Sequence, residues 1–270
     1  MMRRITEEAS HYDDLEQKPV AELLCDINRE DHCVADAVEQ ALPQITRLTE
    51  TIVERMRRGG RLFYIGAGTS GRLGVLDASE LPPTYGTDPR LVVGLIAGGD
   101  TALRQAVEHA EDDGQQGWKD LVEQGLSSDD TVVGIAASGT TPYVVGALRE
   151  ARRHGVVTGC ITSNPDTPLE TESDYPVVTI VGPEFVTGSS RMKSGTAQKM
   201  VLNMISTTVM IRLGRVKGNK MVDMELTNDK LIDRAVHMVM GHDHLSYDAA
   251  KKKLMQNSLD EIMRGPDAIE

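Results

Sequence analysis

Residues 62–74 read LFYIGAGTSGRLG: an apolar run, a glycine-rich turn carrying Thr69 and Ser70, then the opening of a helix. A short apolar run bounded by glycines predicts a buried strand. The turn that follows aims backbone N–H groups and two hydroxyls at one point, which is the geometry of a phosphate seat at a helix N-terminus. Gly66, Gly68 and Gly71 also satisfy the G-x-G-x-x-G pattern of dinucleotide-binding folds. That reading expects an acidic residue roughly 20 positions on, at the end of the second strand, to take the ribose hydroxyls. Here the next strand-like run, Leu91 to Ala97, ends in Gly98-Gly99 before Asp100, so the carboxylate comes late and behind a glycine pair. Two hydroxyls suit a small phosphate better than a pyrophosphate, which is usually met by bare glycine backbone.

Outward from this turn, apolar runs alternate with helical stretches over residues 59–217, the pattern of strand–helix–strand units and a parallel sheet. Strands are expected at Leu62–Ile65, Val92–Ile96, Thr131–Ala136, Val156–Thr162 and Val177–Val181. Ligands of such sheets sit beyond the carboxyl ends of the strands. Three hydroxyl-rich loops therefore gather on one edge: the turn with Gly68, Thr69 and Ser70, the loop Ala137-Ser138-Gly139-Thr140-Thr141-Pro142, and the loop Thr187-Gly188-Ser189-Ser190-Arg191-Met192-Lys193-Ser194-Gly195-Thr196. Any one of them alone reads as an ordinary helix cap. Three on one edge read as a binding site.

The flanks are helical. Residues 1–58 carry apolar positions at helical spacing (Val34, Val38, Leu42, Ile45, Leu48, Ile52, Val53) and predict two helices packing on the core, the second closed by Gly59-Gly60. Residues 218–270 form a helical C-terminal segment, with Asn228-Asp229 capping a helix Lys230–Met240 and one amphipathic helix from Ala249 to Arg264. His242-Asp243-His244 reads as a solvated helix end, because adjacent side chains point in different directions and no third metal ligand follows. The expected fold class is α/β, a three-layer α-β-α domain over 59–217 with a mainly parallel five-stranded sheet and helical segments at both ends.

Only 3% of the 270 residues are aromatic, so aliphatic side chains and 13 methionines must fill the core. A net charge of −12 repels nucleic acid and anionic membranes, so an anionic ligand must be captured by local geometry. No apolar run is long enough to span a bilayer and no basic, apolar leader opens the chain. Cys25, Cys33 and Cys160 are odd in number and lack C-x-x-C spacing, which suggests neither a disulfide framework nor a zinc site and fits a reducing cytoplasm.

With 41 acidic residues, a catalytic pair must be chosen by position. Glu80 stands in Asp77-Ala78-Ser79-Glu80-Leu81-Pro82-Pro83, at the far end of the helix that starts in the phosphate turn, where a negative charge opposes the helix dipole. Glu111 stands in Glu108-His109-Ala110-Glu111-Asp112-Asp113, after the Gly98-Gly99-Asp100 turn. The strings IGAGTSGRLGVLDASELPPTYGT, LIAGGDTALRQAVEHAEDD, VVGIAASGTTPYVVGAL, GPEFVTGSSRMKSGTAQKMVLNMISTTVMIRLGRV and MVD…LTNDKL resemble the N-acetylmuramic acid 6-phosphate etherase family, over about Asp13 to Met240. That family belongs to the sugar isomerase (SIS) superfamily of sugar-phosphate-binding folds, and glucokinase regulatory protein shares part of the pattern.

The resemblance implies a substrate with a 6-phosphate and a lactyl ether on carbon 3, split to N-acetylglucosamine 6-phosphate and D-lactate in cell-wall recycling, with no metal or redox cofactor. It implies Glu80 as proton donor and Glu111 as the second acid/base. Thr69, Ser70, Ser138 and Thr141, with Gly68 and Gly139 in the same turns, are implied as phosphate ligands. Ser189, Ser190 and Lys193 are implied to line the cleft, and a twofold dimer, with Met200–Ile211 as its apolar face, to place the clefts near the subunit interface. A non-catalytic sugar-phosphate sensor and a sugar-phosphate isomerase are the alternatives; a dinucleotide oxidoreductase and a sugar-responsive DNA-binding regulator rank below them, the latter because the N-terminal helices carry no basic surface.

Overall fold

The computed structural model describes residues 4–222 and 229–264. Two short 3-10 turns lead into α1, which runs unbroken from Val20 to Arg57 where the sequence predicted two helices. Pro43 lies inside it. A mid-helix proline removes one N–H and crowds the preceding turn, but the buried stripe stays in phase on both sides, through Val34, Val38 and Ala41 before it and Ile45, Leu48 and Ile52 after it. Packing on both sides therefore holds the helix through the break. Gly59, at φ +96°, then ends it, its N–H donating to the Met56 carbonyl and that of Gly60 to Arg55.

Five parallel strands follow: β1 (Leu62–Gly66), β2 (Val92–Ile96), β3 (Thr131–Ile135), β4 (Val157–Thr162) and β5 (Tyr175–Val178), in spatial order β2-β1-β3-β4-β5. β1 and β3 are buried along their whole length, as expected of central strands covered on both faces. β5 begins two residues earlier than its apolar pattern. The Asp174 carboxylate accepts from the N–H and hydroxyl of Thr158, and the Asp174 N–H donates to the Thr158 carbonyl, which pins the strand's entry there. The connecting helices are α2 (Gly68–Tyr85), α3 (Thr101–Arg104), α4 (Gln116–Glu123), α5 (Pro142–Arg153) and α6 (Pro168–Thr171), and α7 (Lys193–Arg212) follows the sheet. A two-stranded hairpin, β6 (Val216–Lys217) and β7 (Lys220–Met221), precedes α8 (Asp229–Asp243), α9 (Tyr247–Leu254) and α10 (Leu259–Arg264).

The chain divides into two compact units. One holds the residues up to Ala78 and Arg90–Ser206, so α1 and the sheet share it; the other holds Ser79–Pro89 and the chain from Thr207 onward. The second unit has its own core, built on Ala235, Val236 and Val239 of α8 with Ala250, Leu254, Leu259 and Ile262. The single C-terminal helix read from the sequence is two helices. Ser258 N–H donates to Glu261 Oε2 and Glu261 N–H to Ser258 Oγ, the reciprocal pair of a capping box that starts α10 afresh. Asn228, read as a cap for α8, lies outside the described residues.

Helix α2 runs through Pro82 and Pro83, past the point where the sequence ended it. Leu81 and Tyr85, one turn apart, are both buried, and the Gly86 N–H closes the last turn on the Pro82 carbonyl. Midway along α2, Asp77 is 5% exposed and accepts from Ser206 Oγ at 3.1 Å, with the buried Tyr64 hydroxyl close to the same carboxyl. Burial pushes its carboxyl up to about 6, against the opposing Ser206 hydrogen bond. A carboxyl raised on folding keeps its proton longer in the native state, so stability falls as pH rises from about 4 to about 6 and stays lowered above that. Asp77→Asn is thus expected to raise stability at pH 8 by about 1–3 kcal/mol and to remove that pH-dependent fall. Urea midpoints at pH 4 and pH 8 check this, and an unchanged pH slope contradicts it.

Candidate functional site

Strands β1 and β3 are neighbours in register, Gly66 opposite Ile135, and β2 lies on the other side of β1. The loops after β1 and β3 thus leave the same edge side by side at the point where the strand order reverses, where open parallel sheets bind ligands. The turn after β1 depends on two glycines. A Cβ on Gly71 would fall 2.8 Å from the Gly66 oxygen and 2.6 Å from an Ile96 side-chain carbon, so only bare backbone lets α2 start this close to its strand. Ser70, 8% exposed, donates from Oγ to Gln198 Oε1 of α7 at 2.9 Å. Thr69 is half-buried and faces the third loop: a Cβ on Gly195 would lie 3.4 Å from Thr69 Cγ2 and 3.6 Å from the Ser190 carbonyl oxygen.

The loop after β3 is held from below. Gly139 has φ +69°, and any Cβ there would strike Thr167 at 2.5 Å. Asn164, fully buried, donates from Nδ2 to the Ser138 carbonyl at 3.2 Å and accepts from the Thr6 N–H, tying the loop to the N-terminal segment. Ser138 Oγ accepts from the N–H and the hydroxyl of Thr140, both at 3.2 Å. Thr141 is the residue before α5, and its hydroxyl makes no capping bond to that helix. The cap reading therefore does not account for it.

Lys193 sits differently from its neighbours in sequence. Its side chain is 2% exposed and its ammonium is paired with Glu30 of α1. The start of α7 is capped by Glu184, which is fully buried and accepts from the Lys193 N–H, the Ser194 N–H and the Ser194 hydroxyl at 2.8–2.9 Å. Ser189 and Ser190 lie in the partly exposed turn just before it. Lys193 therefore anchors the loop on α1 instead of presenting a charge at its surface.

On the β2 side of β1 lies a cavity of about 300 Å³, lined by Gly68 and Arg72 from the head of α2, Ala97 and Ala102 after β2, and the 3-10 turn carrying Glu111. Glu111 and the phosphate turn are thus brought together, although Glu111 is on a solvent-exposed turn and not in a helix. Glu80 is exposed too, lies five residues before the end of α2 and not at its terminus, and falls in the second unit; it is not among the residues lining this cavity. Sequence reasoning missed Arg72, Asn164, Glu184 and Gln198. Arg72 carried a signal: a cation close to the positive end of a helix dipole is a cost that needs a reason.

Comparison with known proteins agrees with this geometry. Residues 44–152 match the glucokinase regulatory protein N-terminal SIS domain, and residues 105–207 match the SIS domain. The chain is similar in fold to phosphoheptose isomerase GmhA from Neisseria gonorrhoeae (TM-score 0.55, 16% identity, 71% of this chain and 98% of that one). It is likewise similar to a phosphoheptose isomerase from Francisella tularensis (TM-score 0.51, 19% identity, 70% and 98%). It is 65% identical to an N-acetylmuramic acid 6-phosphate etherase of Bacteroides thetaiotaomicron over 93% of this chain and 91% of that one. A relative of the same name from Aeromonas hydrophila is 54% identical over 90% and 82%. Identity at this level across nearly the whole length, with the sugar isomerase fold and its hydroxyl loops in place, means that the chain belongs to the N-acetylmuramic acid 6-phosphate etherase family.

Proposed function

We propose that this enzyme is a carbon–oxygen lyase that removes the D-lactyl ether of N-acetylmuramic acid 6-phosphate, giving N-acetylglucosamine 6-phosphate and D-lactate in the cytoplasm during cell-wall amino-sugar catabolism. The observation that carries the reading is the shared edge: hydroxyl loops after β1 and β3 on one side of β1, and a cavity holding a carboxylate, Glu111, on the other.

An alkyl ether is a poor leaving group and water attacks it slowly, so elimination is the accessible route. With the sugar ring open, carbon 1 is an aldehyde and the proton on carbon 2 becomes acidic enough for a carboxylate base. Glu111 takes that proton. The electron pair forms the carbon 2–carbon 3 double bond, the carbon 3–oxygen bond breaks, and Glu80 protonates the departing lactate oxygen. Water then adds to carbon 3, and carbon 2 is reprotonated. Both carboxyls are exposed, so the substrate itself must exclude the water around them. Binding energy collected at the 6-phosphate by Thr69, Ser70, Ser138, Thr141, Ser189 and Ser190, with backbone N–H groups at Gly68 and Gly139, holds carbons 2 and 3 for that step.

Incubating the protein with N-acetylmuramic acid 6-phosphate and assaying D-lactate tests this; absence of lactate contradicts it. Loss of one hydrogen bond to a charged phosphate predicts that Ser138→Ala raises KM about tenfold or more, with a smaller change in kcat. An unchanged KM removes Ser138 from the phosphate seat. A second reading, a non-catalytic sugar-phosphate sensor, has one observation in its favour, the match of residues 44–152 to the glucokinase regulator's domain, and the same lactate assay separates it.

A homodimer belongs to the proposal as well. Within Met200–Ile211, Val201, Leu202, Ile205, Val209 and Met210 are fully buried within one chain, so of its apolar side chains Ile211, 46% exposed, is the one that helix offers most openly to a second copy. Val20 and Leu24 of α1, 72% and 62% exposed, are apolar surface that a second copy would cover. Light scattering that finds only monomer contradicts the dimer.

A further inference from the structure

Among the described residues, Arg72 is the only arginine or lysine lining the cavity that holds Glu111; the other ionisable groups on its walls are Glu108, His109, Glu111 and Asp112. Its Nε donates to the Leu103 carbonyl at 3.2 Å, which holds the side chain in the cavity's lining beside the small residues Ala67, Gly68, Ala97 and Ala102. Among the described residues no carboxylate pairs with it, in a protein of net charge −12 where carboxylates are abundant. It also stands at the fifth position of α2, near the helix end that repels cations. A guanidinium held in place, facing a cavity, unpaired and unfavourably sited for its helix, is built to receive an anion that is not part of the chain.

That anion is not the phosphate. Of the residues assigned to the phosphate, Gly68 alone touches this cavity; Thr69, Ser70, Ser138, Thr141 and Ser190, which carry the hydroxyls, do not line it, and it lies on the β2 side of β1, whereas the loop after β3 leaves on the opposite side. A ligand seated by its phosphate on the hydroxyl loops would carry its other end toward the cavity. We propose that Arg72 binds the carboxylate of the lactyl group, and so selects a sugar phosphate bearing a carboxylic acid ether from one bearing a free hydroxyl. This rests on the etherase reading above, of which it specifies one contact.

The probe is the 1,5-anhydro analogue of N-acetylmuramic acid 6-phosphate, which cannot open to an aldehyde and so is not consumed by the proposed chemistry, beside the lactyl methyl ester of the same analogue, which lacks the negative charge. Calorimetry on the full chain is expected to show the acid binding roughly 10- to 100-fold more tightly than the ester, the size expected of a charge-assisted bidentate contact. Arg72→Gln is expected to abolish that preference while changing affinity for N-acetylglucosamine 6-phosphate less than twofold, which also serves as the folding control. Arg72→Lys, which keeps the charge, is expected to retain part of the preference. Equal binding of acid and ester to the unsubstituted chain, or an undiminished preference in Arg72→Gln, overturns the inference alone. Equal weakening of all three ligands by Arg72→Gln overturns it by assigning the side chain to the phosphate or the fold. If the unsubstituted chain binds none of them, the etherase reading falls and takes the inference with it.

Discussion

Glu111→Gln is expected to release D-lactate about 10²–10⁴-fold more slowly than the unsubstituted chain, with KM changed far less, because one positioned general acid or base contributes on that order. The amide keeps the size and polarity of the side chain but cannot accept a proton from carbon 2. Glu111 is exposed, on a turn between an αL His109 and Asp112, so the substitution removes no core contact and the loss reports chemistry. Glu80→Gln is expected to give a loss of the same order, since it removes the proton that lets lactate leave. The two need not multiply in the double variant, because residues serving one transition state act as a unit. Steady-state lactate release for each variant decides, and near-normal turnover in either removes that residue from the mechanism.

Glu184→Ala is expected to cost about 3–5 kcal/mol of stability. Its carboxylate accepts from two backbone N–H groups and one hydroxyl at the start of α7, and it is fully buried. Truncation strands those donors away from water, at about 1–3 kcal/mol each before relaxation. Glu184→Gln, which keeps one acceptor oxygen, is expected to lose less. The Ser189-Ser190 turn abuts this start of α7, so Glu184→Ala should also raise KM. Urea unfolding of the two variants checks the ranking, and a loss below about 1 kcal/mol for alanine contradicts the buried-cap account.

The first four strands were legible to within a residue because period and glycine punctuation are local properties, whereas the fifth, expected at Val177–Val181, lies at Tyr175–Val178. Leu62–Ile65 and Val92–Ile96 differ from the observed strands by at most one residue. Helix ends were less legible where packing outweighed a local signal. Two helices were expected over residues 1–58 yet α1 runs through Pro43 as one, and the helix expected to end before Pro82-Pro83 continues as α2 to Tyr85, because buried apolar residues flank both sites. The break before α10 was visible in principle as Ser258-x-x-Glu261, a capping pattern that the longer amphipathic run concealed.

In the site, loops with hydroxyls and glycines announced themselves, whereas the side chains that hold those loops did not. Asn164 meets Ser138 from 26 residues away and Gln198 meets Ser70 from 128; such pairings exist only in the folded chain. Lys193 was expected to line the cleft beside Ser189 and Ser190, but its side chain is buried and its charge is used on Glu30 of α1, a partner 163 residues away that the local sequence could not indicate.

Running the reaction in D2O and examining the sugar product by NMR tests the central claim most directly. Glu111 is exposed, so a proton taken from carbon 2 exchanges with solvent before it returns. Release of D-lactate with one deuteron at carbon 2 of N-acetylglucosamine 6-phosphate is the predicted result. Release of lactate with protium retained at carbon 2 would mean that the ether is displaced without deprotonation, and would contradict the account.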